Sequence, residues 1–148
     1  MIKSIGIHIK VRDFEKSVRF HEALGFKSVF EYGPNKDVVE DYSGMVFDVG
    51  GANLEIADGH RAVRPEVFKE EVKSSKISLM VGVKSLKSVI EVCNKVHIDI
   101  AVKPRHYYWG KLELVVKDPD GTILVFWMPY DKDEARDISA DESWSVKQ

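Results

Sequence analysis

The chain is predicted to be an α+β protein made of two tandem β-α-β-β-β modules. Three observations carry this reading. Residues 118–127, D-P-D-G-T-I-L-V-F-W, join a sharp turn to an apolar strand, and seventy positions earlier Gly50-Gly51 precedes Ala52-Asn53-Leu54-Glu55-Ile56 in the same arrangement. Lys16-Ser17-Val18 returns as Lys87-Ser88-Val89 in two amphipathic segments, one residue further along than the strand offset. A repeat of this length marks supersecondary units that cannot bury their faces alone, so the two modules are expected to pair.

The first segment, residues 2–11, sends Ile5, Ile7, Ile9 and Val11 to one face and Gly6, His8 and Lys10 to the other. That alternation predicts a strand with one apolar side and one wet side. Asp13 is placed to cap a helix over 14–24, with Phe14, Val18 and His21 on its inward stripe and Gly25 as its stop. Residues 26–32, 45–49 and 53–57 read as strands, with a turn at Gly33-Pro34-Asn35. The charged stretch 58–75 reads as a linker holding one or two helical turns. Alternation resumes with Ile77, Leu79 and Val81 against Lys76, Ser78 and Met80. Leu86, Val89, Ile90, Cys93 and Val96 then recur at helical spacing over 85–96. Strands at 98–102, 112–117 and 122–128 close the second module.

Asp118-Pro119-Asp120-Gly121 carries the residues a type I turn favours. The strand it launches, Ile123 to Trp127, is apolar without a gap and reads as central and covered on both faces. These elements give one domain over 1–129, with module one at 1–57, a linker at 58–75 and module two at 76–129. An acidic tail follows over 130–148, with Asp131, Asp133, Glu134, Asp137, Asp141 and Glu142. Its composition favours a solvated or loosely docked extension, anchored by Trp144.

Composition narrows the partners. A chain of 148 residues with a net charge of -2 lacks the basic footprint of a nucleic-acid binder. No apolar run approaches the roughly 20 residues that span a bilayer, and no apolar signal core opens the chain, so it is read as cytoplasmic. The single cysteine, Cys93, has no internal disulfide partner and falls on the apolar stripe of the second helix, as a core residue would.

Val11-Arg12-Asp13-Phe14-Glu15-Lys16-Ser17 with Phe20 and Leu24-Gly25-Phe26, together with Asp118-Pro119-Asp120-Gly121 and the duplicated element order, resemble the vicinal oxygen chelate superfamily. That family includes glyoxalase I, fosfomycin resistance proteins, extradiol dioxygenases and bleomycin resistance proteins. The resemblance covers residues 3 to 129. It implies two modules that pair into a cup-shaped sheet around a ligand, the glyoxalase/bleomycin resistance-like fold. Metal-dependent members hold a divalent ion with His and Glu side chains from the first and last strand of each module. Those positions fall on Gly6, Glu55, Lys76 (with Ser75 or Ile77 one residue away) and Val125, of which Glu55 alone is an ordinary ligand. Transition metals need several N, O or S donors, so no cofactor is expected. The alternative is a divalent ion displaced to His8 and Glu55, with His106 as a third donor from a flexible loop.

By alternation, His8, Lys10, Asn53 and Glu55 share the polar half of the cup with Gly6, while Met80, Val125 and Trp127 make its apolar half. His8 and Glu55 can form an acid/base pair, or Glu55 a structural ion pair with Lys10 or Lys76. His106, Tyr107, Tyr108 and Trp109 form an aromatic loop suited to closing over a flat or cationic ligand, or to covering a sheet rim or subunit contact. His60 and His97 read as surface residues. No nucleophile elbow, phosphate loop or zinc signature occurs, so covalent catalysis has no candidate. The sequence therefore points to a homodimeric protein that binds a small aromatic or cationic molecule in a metal-free cup. A metal-dependent lyase, isomerase or dioxygenase using His8 and Glu55 is the rival.

Overall fold

The structure is a computed structural model that describes residues 1, 3–34, 42–59, 77–107 and 109–143. Asn35, the helical turns expected in the linker, His60, Ser75, Lys76, Tyr108 and Trp144 lie outside the described residues. The chain divides into two compact units, Met1–Val72 and Lys73–Gln148.

Unit one contains β1 (Ile7–Lys10), α1 (Phe14–Ala23), β2 (Lys27–Tyr32), β3 (Gly44–Asp48) and β4 (Asn53–Ala57). Its strands form one sheet in the order β1-β4-β3-β2, with β1 parallel to β4 and the other pairs antiparallel. Asp13 caps α1 by accepting from the Lys16 amide at 3.0 Å, as its residue type predicts. The helix turns a different stripe inward from the one its apolar residues imply. Ser17 and His21 are fully buried, while Phe14 and Val18 are only half-buried. The His21 Nδ1 donates to the Ser17 carbonyl at 2.7 Å, and its ring stacks on Phe47 and meets Phe26 edge-on. The imidazole is thus an aromatic core member with a local polar partner.

The apolar side of β1 is covered only at its end. Val11 is buried, but Ile5 and Ile7 are 75% and 41% exposed. The reason is topological: β1 is an edge strand, and α1 packs over the interior strand β4.

Unit two contains β5 (Ser78–Gly82), α2 (Leu86–Val96), β6 (Ile100–Tyr107), β7 (Lys111–Lys117), β8 (Ile123–Pro129) and α3 (Lys132–Asp137). Its sheet order, β5-β8-β7-β6, repeats that of unit one, with β5 parallel to β8. The duplication read from the sequence is therefore a duplication of topology. Asp118 Oδ1 accepts from the amides of Asp120 and Thr122 at 2.9 and 2.8 Å, which builds the turn before β8. Gly121 closes it at φ 88°, a conformation that favours glycine.

β8 is interior, as expected, but its two faces are not equally covered. Leu124, Phe126 and Met128 are buried against the helix side, whereas Ile123, Val125 and Trp127 are half-buried on the other. Leu86, Val89 and Cys93 form the buried stripe of α2, with Val96 of the expected stripe 43% exposed. The tail departs most from expectation. Residues 132–137 form α3, Ala135 is buried, and Glu134 accepts from the Ser85 hydroxyl at 2.7 Å and the Lys87 amide at 2.8 Å, capping α2. Acidic composition here serves helix capping rather than solvation. Among the described residues, no helix is long and apolar enough to cross a membrane.

Candidate functional site

In unit one the parallel register sets His8 directly beside Glu55. Both lie on the sheet face opposite Leu54 and Ile56, which are buried under the helix. His8 Nε2 lies 3.4 Å from Glu55 Oε1. Lys10, two residues along the same face, places its Nζ 2.6 Å from His8 Nε2 and donates to the Gly59 carbonyl at 2.9 Å. Nζ is also 3.3 Å from His8 Nδ1, so the ammonium lies against the face of the imidazole rather than in line with the Nε2 lone pair. Burial pushes the Lys10 ammonium below its ordinary value of 10.5, while the Glu55 and Asp58 carboxylates act in the opposite direction.

A fourth member is not visible in the sequence. Tyr32, on the far edge strand β2, donates its hydroxyl to Glu55 Oε1. It reaches across β3 because its register partner is Gly44, where a Cβ would overlap the Tyr32 ring. Gly44 therefore couples a backbone position to the orientation of the carboxylate. We expect Gly44→Ala and Tyr32→Phe each to destabilise the protein by about 1 kcal/mol, the net worth of one hydrogen bond. The double variant should lose no more than either single one, and additive losses in urea unfolding would break this coupling.

Asn53 stays at the start of β4, opposite Asp48, and borders a surface recess of about 200 Å³ with Ser4, Gly6 and Gly51.

In unit two, the register neighbour of Val125 is Met80, and Trp127 lies beside Gly82. The three expected apolar residues thus share one face. A Cβ on Gly82 would stand 3.0 Å from Trp127 Cζ2, so the glycine gives the indole room to lie against the backbone. Lys111 Nζ sits 3.9 Å from the centre of the Trp127 ring, a cation–π contact. Trp109 stacks on Tyr107 at 4.6 Å and donates to Glu113 Oε1 at 3.2 Å.

His106 does not join this face. The segment expected to be a loop is the end of β6, and His106 pairs in register with Leu112, a residue of the buried side. Its ring stacks on Tyr130 at 3.7 Å and its Nδ1 lies 3.1 Å from Glu142 Oε2, so it binds the tail. Strand alternation also puts it on the opposite face from Tyr107.

The sequence offset places the first-strand positions at Gly6 and Lys76, whereas the residues beside Glu55 and Val125 are His8 and Met80. Of these four register positions, His8 and Glu55 make the one pair with ligating side chains. Among the described residues, no group of three or more His, Cys, Asp or Glu side chains is placed to hold a metal ion. An ammonium already stands against the nitrogen of that pair. This donor set does not fit a transition ion, which needs three or four such ligands.

Two four-stranded sheets of the same order, each with its helix on one face, define a class: an α+β protein of tandem β-α-β-β-β modules. The chain belongs to the Glyoxalase/Bleomycin resistance protein/Dioxygenase superfamily, whose family model matches residues 4–126. Among solved structures it is similar to a bleomycin-binding protein complexed with bleomycin, at 23% identity and a TM-score of 0.57, covering 87% of this chain and 100% of that one. It is also similar to a mutant of the fosfomycin resistance protein FosX of Listeria monocytogenes, complexed with Mn(II) and 1S,2S-dihydroxypropylphosphonic acid. That match has 16% identity and a TM-score of 0.64, covering 92% and 98% of the two chains. A glyoxalase/bleomycin resistance protein/dioxygenase from Nocardioides matches at 17% identity and a TM-score of 0.65, covering 89% and 86%. No curated protein matches in sequence.

Proposed function

We propose that this chain binds a small aromatic or cationic molecule without a metal ion, in the manner of a bleomycin-binding protein rather than a metal-dependent FosX. The observation that carries this is the Lys10 ammonium, 2.6 Å from His8 Nε2 and 3.3 Å from its Nδ1, which sets a positive charge beside the His8–Glu55 pair. Ligand chemistry follows from unit two. The Trp127 indole holds the Lys111 cation over its ring, and Met80 and Val125 extend the same face with apolar surface. A flat or positively charged ligand can use that surface by stacking, while Glu55 and Lys10 are the polar groups that unit one offers to a ligand in this reading. Tyr108 remains a proposed aromatic contact, next to Trp109.

The second reading is a lyase, isomerase or dioxygenase with its ion at His8 and Glu55, favoured by their 3.4 Å approach. We also propose that the protein acts in the cytoplasm as a homodimer, two-fold pairs being the commonest assembly. Modules 1–57 and 76–129 would then be halves of one functional domain.

The test uses the full chain, dialysed against a chelator and analysed for bound elements. It is then heated with bleomycin and with a library of aromatic, cationic and phosphonate compounds. A ligand at a hundredfold excess over its Kd should stabilise the protein by about 2.7 kcal/mol, which a thermal scan reads as a raised Tm. Stoichiometric Zn, Ni, Mn or Fe surviving dialysis overturns the metal-free reading. A library in which no compound raises Tm overturns the binding reading.

A further inference from the structure

We propose that the ligand of unit two is a flat aromatic acid, its ring lying on Met80 and Val125 and its anionic group held by the Lys111 ammonium over Trp127. This inference rests on the binding reading above and narrows it. Of the aromatic and cationic ligands considered there, it selects an aromatic one and fixes its charge as negative.

The cation on this face is already in place. Lys111 Nζ sits 3.9 Å from the centre of the Trp127 ring, and among the described residues the ammonium forms no ion pair. Strand alternation puts one acid on the open side of β7 and β8, namely Glu113, which stands between Arg105 and Trp127 in register. Its Oε1 accepts from Trp109 Nε1 at 3.2 Å, and Trp109 is itself held by stacking on Tyr107 at 4.6 Å. Glu113 is thereby engaged by an indole and not by Lys111. Lys117 shares that side of β7, while Arg105 has its own partner in Asp141 at 3.6 Å. The face keeps a surplus of positive charge beside an aromatic ring.

This arrangement decides the sign of the ligand. A cationic ligand reaching the Trp127 ring has to expel the ammonium, so one cation–π contact replaces another and little is gained. An anion leaves that contact intact. It meets N–H donors of Lys111 that the ring does not use, and such a charge-assisted hydrogen bond is roughly twice as strong as a neutral one. Seating on the indole also restrains the long lysine stem before the ligand arrives, so less rotamer freedom is lost on binding.

The apolar part of the ligand has its place on the same strands. Val125 lies two residues before Trp127 on β8, about 7 Å along the strand, with Met80 beside it on β5. Met80 is exposed and Val125 half-buried, so both present open apolar surface. One aromatic ring with a short acid arm covers that span.

The test is an NMR titration of the full chain with three compounds that share a ring and differ in head group: phenylacetate, phenylacetamide and phenethylamine. The indole Nε1–H signals report where each compound binds, and Trp127→Phe assigns the signal of that ring. Phenylacetate is expected to shift the Trp127 signal and to bind about tenfold more tightly than phenethylamine, with the neutral phenylacetamide between them. Lys111→Met and Lys111→Gln, two independent neutral replacements, should bring phenylacetate down to the level of phenylacetamide. Lys111→Arg, which keeps a cation able to stack on the indole, should retain the preference. The backbone spectrum shows whether each variant is folded. Phenethylamine binding at Trp127 as tightly as phenylacetate, or a phenylacetate preference unchanged in both neutral variants, overturns the anionic assignment and leaves the aromatic binding reading standing. If none of the three moves the Trp127 signal, the unit-two face falls as a ligand surface and the binding reading falls with it.

Discussion

Phe126→Ala is expected to destabilise the protein by about 3–5 kcal/mol, the usual cost of emptying a buried aromatic site. Phe126 is fully buried on interior strand β8, with Val81 and Leu114 as its register neighbours on the two flanking strands. α2 packs on the same side of this sheet. A loss of that size is a large part of the roughly 5–15 kcal/mol that holds a typical domain together. Val125→Ala, one position earlier and on the half-buried face, should cost less than about 1.5 kcal/mol. Urea unfolding of the two variants decides the matter. Equal losses would mean that β8 is covered equally on both faces, as its unbroken run of apolar residues implies.

Strand patterning reaches part of the way to this site. Period-two alternation tells which side of a strand each residue occupies, so it assigns Glu55 and His8, or Val125 and Met80, to common faces, as the register bears out. It does not report cross-strand register, and register decides that His8 rather than Gly6 stands beside Glu55. Nor does it foresee a residue that crosses a neighbouring strand. Tyr32 reaches Glu55 only because Gly44 lacks a side chain, and a glycine inside a strand signals close approach without naming what approaches.

β6 illustrates a second limit. The sequence reading ends this strand at Val102 and expects an aromatic loop beyond it. The strand instead continues to Tyr107. Because β6 is the edge of its sheet, the missing amide of Pro104 costs no ladder bond. The sheet order that makes this tolerable is a tertiary fact, and the different placement of His106 follows from it. Composition misleads in the tail for a related reason. Acidic residues mark a solvated segment on average, but Glu134 finds the amide end of α2 and Asp141 the backbone of β6.

Removal of residues 130–148 should therefore cost much more than trimming a solvated tail. Three separable contributions are lost. Glu134 caps α2 through the Lys87 amide and the Ser85 hydroxyl, worth about 1 kcal/mol. The His106–Tyr130 stack at 3.7 Å contributes about 1 kcal/mol beyond its buried area. The backbone bonds from His106 N to Asp141 O and from Asp141 N to Pro104 O, both 2.9 Å, extend the edge of β6 and add about 1 kcal/mol more. A chain ending at Pro129 is expected to lose about 3 kcal/mol in all, and Glu134→Ala alone about 1 kcal/mol. Amide exchange should localise the effect, with protection falling at His106 and at Lys87, which lie far apart in sequence but share the tail as partner. An unchanged urea midpoint on truncation would return the tail to the solvated extension its charge implies. A loss confined to Lys87 would leave the His106–Tyr130 stack without a stabilising role. With both sites affected, the tail is a clamp that fixes β6, and through it the Tyr107 and Arg105 side chains on the face that carries Trp127.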